Sequence, residues 1–423
     1  MDLPPGKLRD PLGWSALLTL AFSALLLVRL AIPSVIYFDE IHYVTAAKAL
    51  LTEFRIVNPE HPPLGKLILA AGIGLFGDDP WGWRLLPAVA GAVTLFAGMR
   101  AMWFASLRRF ATLAFGVLFA TGFMLFVQAR IAMLDAFMLA FFSVALWQAA
   151  AACREPETGR WRLALAGVAL GLSLAAKWNV APLLPLFGLA FLTSRLMAGR
   201  RRLLTSRRGL PVPGVSLLEA AVWLGAVPLA TYAATFIPAY LAQTNAIAEN
   251  IVAHQQTMLA LQESVKTPHT YQSNWHQWIL NLRPIWYLYE PIDGAQRGIL
   301  LLGNPLTMLL GLPALLWCAY TGARRRDRAA LGVVLLYAVS FGFWIVAAKP
   351  IQFFYHYHLP FAFLLGALAL ALDDVWRAGW RKTALLPILG SVGMFVWFWP
   401  ILSAAPLERA DSFADWMWLE SWR

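Results

Sequence analysis

The sequence predicts an all-α polytopic membrane protein, and three observations lead to that fold class. The chain has 423 residues, of which 60% are hydrophobic and only 13% are charged. Soluble domains usually carry about 25% charged residues, so this composition is typical of a protein embedded in lipid. Apolar runs of about 20 residues recur along the chain, each long enough to cross a hydrocarbon core ~30 Å thick. Basic residues are concentrated between these runs, as in proteins whose helices are oriented in a membrane.

Eleven hydrophobic segments are predicted to cross the membrane. They cover residues 14–37, 82–104, 110–128, 131–152, 163–177, 180–197, 215–237, 299–320, 329–348, 357–373 and 383–402. With a cytoplasmic N-terminus, the cytoplasmic loops and helix ends hold 21 of the 34 Lys and Arg residues. The outer segments then hold 12, and Arg29 falls within the first span. This asymmetry supports a cytoplasmic N-terminus and an outer C-terminus.

The net charge of +11 does not indicate nucleic-acid binding, because its basic clusters lie between the hydrophobic segments. There they are placed to orient the helices and to contact lipid headgroups. The partners that we expect therefore include the lipid bilayer and exclude nucleic acid. The first hydrophobic segment is too long for a signal peptide and lacks a small-residue cleavage site, so we interpret it as a retained anchor.

Two long outer loops divide the chain into three predicted regions. Residues 1–237 form an N-terminal catalytic region that includes the first outer loop at 38–81, and residues 299–423 form a C-terminal four-helix region. Between them, the loop at 238–298 contains "AENIVAHQQTMLALQES", whose apolar residues recur at helical spacing. We expect amphipathic helices at the outer membrane surface in these loops.

Two adjacent acids, Asp39 and Glu40, follow the first hydrophobic segment. From Trp14 to Phe38 is ~37 Å of helix, which is enough to carry both carboxylates out of the hydrocarbon, where charge is costly. Adjacent residues on a helix diverge by roughly 100°, so the pair does not suit the opposed carboxylates of a glycosidase. One general base with one positioning or ligand group is the more plausible interpretation. A solvated helix end is the alternative for an isolated acid.

Further ionisable residues gather on the same predicted outer face. They are His42, His61, Lys66, Arg84, Arg130, Asp135, Lys177, Lys349, His356 and His358. Lys and Arg side chains that converge at a membrane surface suit a phosphate, although each one alone could snorkel to lipid headgroups. A divalent metal at His356 and His358 is weakly supported, because helical residues two apart point away from each other. No cofactor is firmly implied.

A set of motifs runs in order along nearly the whole chain. It comprises "YFDEIHY", "HPPLGKLI", "QARIAMLDAFML", "GLSLAAKWN", "HTYQSNWHQWILNLRPIWYLYE", "LLGNPL" and "FFYHYHLP". With these motifs the chain resembles the protein O-mannosyltransferases, which belong to the membrane-embedded C-type glycosyltransferases. That family transfers mannose from a polyprenyl phosphate carrier to Ser or Thr hydroxyls of secreted proteins and inverts the anomeric centre.

The resemblance implies a site at the outer membrane face. Asp39 would be the base and Glu40 would orient it or the acceptor, while His61, Lys66 and Arg130 would hold the carrier phosphate or the sugar. In the same way Lys177 would contact phosphate, and Asp135 would contribute as a partner of Arg130. His42, Arg84 and His356 complete the predicted substrate-binding set.

The chain departs from the family pattern in two places, the first of which separates it from the eukaryotic members. The loop at 238–298 is too short for their globular β-trefoil insert, which suggests a bacterial enzyme of the cytoplasmic membrane with its site facing the periplasm. The chain also has "HTY" where many relatives have His-Pro-Tyr. The sugar and the acceptor stay open.

Two other functions compete with protein mannosylation. A related transferase adds aminoarabinose to lipid A, and its family has Lys before the Pro-Pro pair, where this chain has His61. A lipid or polysaccharide acceptor is therefore one alternative. A transporter is the other, although transporters place substrate groups at mid-membrane and often have repeated halves, whereas these charges lie at one face.

Overall fold

The computed structural model describes residues 9–199, 202–241, 248–347 and 349–423. Parts of four predictions lie outside the described residues. They are the N-terminal residues 1–8, the basic residues Arg200 and Arg201, residues 242–247 of the second predicted outer loop, and residue 348 at the end of the predicted span 329–348.

The first half of the chain is helical. Its helices are α1 (Leu12–Leu27), α2 (Glu40–Thr52), α3 (Leu64–Phe76), α4 (Pro80–Ser106), α5 (Arg109–Ala120), α6 (Met124–Gln128), α7 (Leu134–Ala152), α8 (Gly159–Ala176) and α9 (Leu184–Met197). A 3-10 turn, Trp178–Leu183, leads directly into α9.

The second half contains further helices and one β-hairpin. In order these are α10 (Leu217–Ala221), α11 (Val227–Ala234), α12 (Ile237–Leu241), α13 (Ile251–Ser264), α14 (Trp275–Ile279), β1 (Ile285–Ile292), β2 (Ala295–Leu301), α15 (Pro305–Arg324), α16 (Arg328–Val346), α17 (His358–Arg377) and α18 (Arg381–Leu402). A π turn, Val222–Ala226, joins α10 to α11, and 3-10 turns occupy Phe354–Tyr357, Ser412–Trp416 and Glu420–Trp422.

Several helix starts follow directly from local sequence. The Asp79 carboxylate accepts hydrogen bonds from the Trp81 and Gly82 amides, and Pro80 takes the first helical position of α4. The carboxylate of Asp327 caps α16 through the amides of Ala329 and Ala330 in the same way. Such side chains satisfy the free N–H groups of a first turn, and proline has no N–H to leave unpaired.

Two helices, α7 and α17, form the centre of the bundle. Nearly all of the α17 side chains are buried, and α17 packs against α5, α15 and α16. α7 is also largely buried, between α4 and α8. Among the described residues, eight helices are long and apolar enough to cross a membrane. The multi-pass, mostly helical architecture is thus confirmed, while the count of eleven crossings stays a prediction.

The first predicted span is longer than the helix that forms. The span was predicted to reach residue 37, but α1 ends at Leu27, and residues 28–38 run as an irregular segment to α2. Arg29 adopts a left-handed backbone with φ 56°, and Pro33 has no N–H to donate. The expectation of ~37 Å of continuous helix before Asp39 is therefore wrong, and we call residues 28–38 the linker segment.

Three further differences concern the predicted loops and spans. α3 is an apolar helix that was not predicted, and the span expected at 110–128 is divided between α5 and α6. The loop at 238–298 contains the predicted helix, as α13, but also most of the β1–β2 hairpin. The hairpin turns at Asp293 and Gly294, which have φ 50° and 74°, as a tight two-residue turn requires.

Candidate active site

Glu40, the first residue of α2, has its carboxylate fully occupied. It receives two hydrogen bonds from the Arg84 guanidinium, with Nε–Oε1 2.8 Å and Nη2–Oε2 2.9 Å, and the two side chains are completely buried. The backbone amides of Tyr37 and Ala132 donate to the same carboxylate at 3.2 and 3.0 Å. Four donors saturate its acceptor positions, so Glu40 has the environment of a structural anchor.

Two arginines hold the backbone of the linker segment. Besides pairing with Glu40, Arg84 donates to the carbonyls of Leu30, Pro33 and Val35, at 3.3, 2.5 and 2.7 Å. Arg130 binds the stretch of backbone just before these residues. It donates to the carbonyls of Leu26 and Val28, both at 2.6 Å, and to the carbonyl of Arg29 at 3.1 Å. Carbonyls that a broken helix leaves free are thereby paired. We call Glu40, Arg84 and Arg130 the anchored cluster.

The C-terminal half of the chain also fixes the linker segment. At the hairpin tip the Asp293 carboxylate accepts from the Ser34 hydroxyl at 2.5 Å and from its amide at 2.9 Å. Arg29, predicted to lie inside the first span, instead donates to the Ser403 hydroxyl at 2.7 Å, just beyond α18. The residues that precede Asp39 are therefore tied to the last third of the chain.

Asp39 lies beside Glu40 in a very different environment. The preceding residue, Phe38, has φ 49°, a left-handed conformation that is costly for a non-glycine residue and that strained functional sites often contain. The Asp39 side chain is half-buried, and its carboxylate accepts no hydrogen bond from the residues that the structure describes. Burial raises its pKa, although the neighbouring charges of Lys177 and His42 lower it.

A buried ion pair lies close to Asp39. Lys177, at the end of α8, places its ammonium 2.6 Å from the Asp135 carboxylate in the first turn of α7. The ammonium also lies 4.9 Å from the centre of the Tyr355 ring. The partner of Asp135 is thus Lys177, whereas the sequence suggested Arg130. We call Asp39, Asp135, Lys177 and Lys349 the cavity cluster.

An open cavity of ≈200 Å³ adjoins this cluster. Four segments that are distant in sequence form its wall: the first outer loop, the end of α8, α13 and the end of α16. The lining residues are Glu60, His61, Lys177, Trp178, Asn179, Leu259, Gln262, Glu263, Phe343, Trp344, Ala347 and Lys349. Burial lowers the pKa of Lys349 to about 8, with a further decrease from Lys177.

Aromatic side chains enclose the site, and sequence reasoning assigned them no role. Tyr287 on β1 stacks on Phe38 with ring centres 4.2 Å apart, and its hydroxyl donates to Gln128 at 2.9 Å. Burial, together with the charges of Asp39 and Asp135, raises the pKa of Tyr287 well above its usual range. The aromatic density of "RPIWYLYE" and "FFYHYH" was the available signal for this wall.

Lys66 and His61 organise the edge of the cavity. The Lys66 ammonium donates to the backbone carbonyls of Asn58 and, at 2.9 Å, His61, so it fixes the "NPEHPP" turn. The His61 imidazole faces the Gln262 amide, with Nδ1 and Nε2 3.4 Å apart, and meets the Tyr43 ring edge-on. Burial and nearby cations, first of them Lys177, lower the His61 pKa well below its usual range. Its ring is therefore neutral at pH 7.

The remaining predicted histidines are divided between surface and interior. His42 is exposed on α2, and its charge acts on Asp39. His356 is buried against Trp344, accepts from the Phe353 amide at 3.0 Å, and has an unpaired Nε2 among the described residues. In the described ranges no group of three or more His, Cys, Asp or Glu side chains is arranged to hold a metal ion.

Solved structures with similar folds are membrane glycosyltransferases. The structure of the S. cerevisiae protein O-mannosyltransferase complex bound to the sugar donor has a chain that matches with a TM-score of 0.82 and 14% identity. That match covers 97% of this chain and 93% of the yeast chain. ArnT from Cupriavidus metallidurans, bound to undecaprenyl phosphate, matches with a TM-score of 0.60 and 16% identity over 93% of this chain and 77% of its own. The fold is that of the C-type membrane glycosyltransferases.

Sequence comparison identifies the family within that class. Residues 78–242 match the family described as dolichyl-phosphate-mannose-protein mannosyltransferase, and residues 247–422 match the C-terminal four-helix membrane region of protein O-mannosyltransferase. A Mycobacterium tuberculosis protein named polyprenol-phosphate-mannose–protein mannosyltransferase is 27% identical, covering 91% of this chain and 86% of that protein. A Corynebacterium glutamicum protein of the same name is 25% identical over 91% and 88%. The chain belongs to the protein O-mannosyltransferase family, which confirms the predicted enzyme class over the transporter alternative.

Proposed function

We propose that this chain transfers mannose from a polyprenyl phosphate carrier to Ser or Thr hydroxyls of exported proteins, with inversion at the anomeric carbon. The names of its relatives support the donor and the acceptor. One observation carries the assignment of the base: the Asp39 carboxylate has no hydrogen-bond donor among the described residues and feels the charges of Lys177 and Lys349, which line the cavity, whereas Glu40 is saturated.

In the proposed reaction Asp39 accepts the proton of the acceptor hydroxyl. The hydroxyl oxygen forms a bond to the anomeric carbon while the bond from that carbon to the phosphate oxygen breaks, and polyprenyl phosphate leaves with the electron pair. A hydroxyl is a poor nucleophile and needs a positioned base, and the raised pKa makes Asp39 a stronger base than an ordinary carboxylate. A phosphate leaving group needs a cation that stabilises its charge, and no general acid is required.

The other predicted site residues divide into three roles. We assign phosphate contact to Lys177, which Asp135 holds in place. Lys66 and the anchored cluster take positioning roles, since their polar groups are bonded to backbone or to each other. The three predicted histidines, His42, His61 and His356, take substrate-binding roles, and of these His61 lines the cavity.

We place the site at the outer face of a bacterial cytoplasmic membrane, with the N-terminus in the cytoplasm. The distribution of Lys and Arg supports this orientation. In α4, Arg84 and Arg100 lie near opposite ends, ~24 Å apart along the axis. Arg84 lies at the end of α4 nearest the site. Arg100 lies near the other end of α4, where the basic loops gather, and pairs with Asp10. In this orientation regions 1–237 and 299–423 form the bundle below the site.

Reconstitution of the full chain in lipid vesicles tests this function. Purified protein receives polyprenyl-phosphate-mannose and a Ser/Thr-rich peptide, and mass spectrometry follows the addition of one hexose to the peptide. We expect transfer by the wild-type chain and an α-linked product if a β-linked donor is inverted. Absence of transfer from an otherwise well-folded protein contradicts the proposal.

A lipid or polysaccharide acceptor is the second candidate, because the fold shared with ArnT, whose structure holds undecaprenyl phosphate, fits a polyprenyl carrier without fixing the acceptor. Comparison of exported proteins and of envelope lipids from cells with and without the gene separates the two. Loss of hexose from Ser/Thr peptides supports protein glycosylation. Unchanged glycopeptides together with altered lipids or polysaccharides support the second candidate.

A further inference from the structure

Lys349 differs from every other cation that the sequence placed near the site. The ammonium or guanidinium groups of the others have protein partners within the described residues. Those partners are carbonyls for Lys66 and Arg130, Glu40 and carbonyls for Arg84, and Asp135 for Lys177. By contrast, the Lys349 ammonium makes no hydrogen bond or ion pair with any residue that the structure describes, although the side chain is half-buried.

Lys349 lies where a ligand in the cavity could reach its charge. It lies after the end of α16, in the wall of the ≈200 Å³ cavity that Lys177 and His61 also line. Phe343 and Trp344, in the last turn of α16, give that wall an apolar side. Asp39, Asp135 and Glu60 act on this charge only from beyond ion-pair distance, and a half-buried cation without an ion-pair contact is costly unless a ligand supplies a closer anion. The adjoining apolar surface suits a ligand that is part anion and part hydrocarbon.

We propose that Lys349 binds the phosphate of the lipid-linked sugar donor and keeps it during departure of the carrier, with Lys177 on the other side of that phosphate. The proposal rests on the proposed transfer reaction and adds a donor-binding residue to it. Two cations of different mobility then meet the anion: Lys177 is fixed by Asp135, while the Lys349 side chain is free to follow the leaving group.

The protonation state of Lys349 gives the proposal a pH signature. Its pKa is lowered to about 8, so the ammonium is charged below that pH and neutral above it. The charged or titratable groups that act on it, or on which it acts, are Asp39, Glu60, His61, Asp135, Lys177 and His356. The phosphodiester of the donor keeps its single negative charge throughout this range. Donor affinity should therefore fall as pH rises through about 8.

The experiment compares the full-length wild-type chain with Lys349→Gln, Lys349→Arg and the control Lys382→Gln. Lys382 is an exposed lysine in the first turn of α18, and the sequence predicts that this end of the helix is cytoplasmic. Each protein is reconstituted in phosphatidylcholine vesicles, and KM is measured separately for donor and for acceptor peptide. We expect Lys349→Gln to raise the donor KM at least about tenfold, as loss of one charge-assisted hydrogen bond would do, with acceptor KM and melting temperature unchanged.

The arginine variant retains the charge and tests the pH signature independently. Lys349→Arg should keep donor binding and abolish its decrease between pH 7 and 9, because a guanidinium stays charged there. This variant also decides the matter if Lys349→Gln does not fold. An arginine variant with the wild-type pH profile, or a glutamine variant with the wild-type donor KM, overturns the proposal.

Direct binding separates this proposal from the proposed function. Polyprenyl phosphate without sugar is titrated into each protein, with phosphatidylglycerol as competitor. If Lys349→Gln loses polyprenyl phosphate binding while the other proteins keep it, the assignment is supported even if no peptide is glycosylated. Displacement by phosphatidylglycerol at equal concentration indicates a general headgroup site and contradicts it. A wild-type chain that binds the carrier and transfers no mannose refutes the proposed function only.

Discussion

The anchored cluster and the cavity cluster begin at adjacent residues and use their charges in opposite ways. In the anchored cluster Glu40 and Arg84 are completely buried, and each carboxylate oxygen and most guanidinium N–H groups have a partner. In the cavity cluster Asp39 and Lys349 are half-buried and have no hydrogen-bond partner for their charges within the described residues. The first arrangement stabilises a backbone path, and the second leaves charges available for a ligand.

The contrast shows why an Asp and a Glu in sequence do not act as two equivalent acids. The left-handed backbone at Phe38 and the start of α2 turn the two carboxylates toward different surroundings. Glu40 meets Arg84 and two backbone amides, while Asp39 lies among Lys177, His42 and aromatic rings. Substitution at each position should therefore damage a different property of the protein.

Replacement of the base should have the largest effect. We expect Asp39→Asn to lower kcat about 10²–10⁴-fold, the usual contribution of a general base, because the amide cannot accept the hydroxyl proton. The melting temperature should stay within about 1–2 °C of wild type, since no hydrogen bond to this carboxylate is lost. Steady-state transfer assays and thermal unfolding of the purified protein measure the two quantities. A stable variant with full activity would exclude Asp39 as the base.

Disruption of the anchored cluster should chiefly lower stability. Glu40→Gln leaves the buried Arg84 guanidinium without its counter-charge, and we expect a loss of about 3–5 kcal/mol in the free energy of unfolding. Denaturant titration in detergent micelles measures it. The double variant Glu40→Gln/Arg84→Met should lose less stability than the sum of the two single variants, because the two side chains share one interaction, although Arg84→Met also leaves the linker carbonyls unpaired. If the two single losses simply add, the buried pair is not the origin of the effect.

Weakening the hairpin contact should have a smaller effect on the same linker segment. Asp293→Gly suits the left-handed backbone of the exposed hairpin tip and removes two hydrogen bonds to Ser34, so we expect kcat to fall severalfold and stability to fall by less than about 1 kcal/mol. Asp411→Ala, which removes an exposed acid that pairs only with Arg409 among the described residues, is the matched control. Equal activity of the two variants would show that the tip does not position Asp39.

The smallest expected change concerns the pH dependence of the base. The deprotonated form of Asp39 is active, so kcat/KM should fall as pH drops through a pKa that burial has raised. The charge of His42 lowers that pKa, so His42→Gln should move the acid limb to higher pH. His276→Gln, an exposed histidine on α14, should leave the profile unchanged. A shift of the limb to lower pH in His42→Gln would have the wrong sign for this mechanism.

Sequence reasoning named candidate site residues but not the partners of their side chains. The apolar runs identified the helices, and the ordered motifs led to Asp39, Lys177 and the first outer loop. The pairing of Glu40 with Arg84 and with the amide of Ala132 was not predictable, because these partners lie 44 and 92 residues away. Only tertiary packing decides which of two adjacent carboxylates meets a guanidinium.

The differences in secondary structure have a similar cause. Hydropathy continues from α1 through most of the linker segment, so the apolar pattern alone does not mark Leu27 as a helix end, and Pro33 was the available local signal. The guanidinium that donates to the carbonyls of Leu26 and Val28 belongs to Arg130, which lies in a remote part of the chain. Likewise, the apolar residues of β2 run directly into α15, and a hydropathy window cannot separate a buried strand from the start of a span.

The linker segment also sets the order in which the site can be completed during synthesis. Asp39 leaves the ribosome within the first tenth of the chain, but Ser34 meets Asp293, Arg29 meets Ser403, and the facing cation is Lys349. The nascent N-terminal helices can therefore enter the membrane with an unfinished and inactive site. We expect activity to begin only after the last helix has been inserted, so prematurely terminated chains would not consume the carrier.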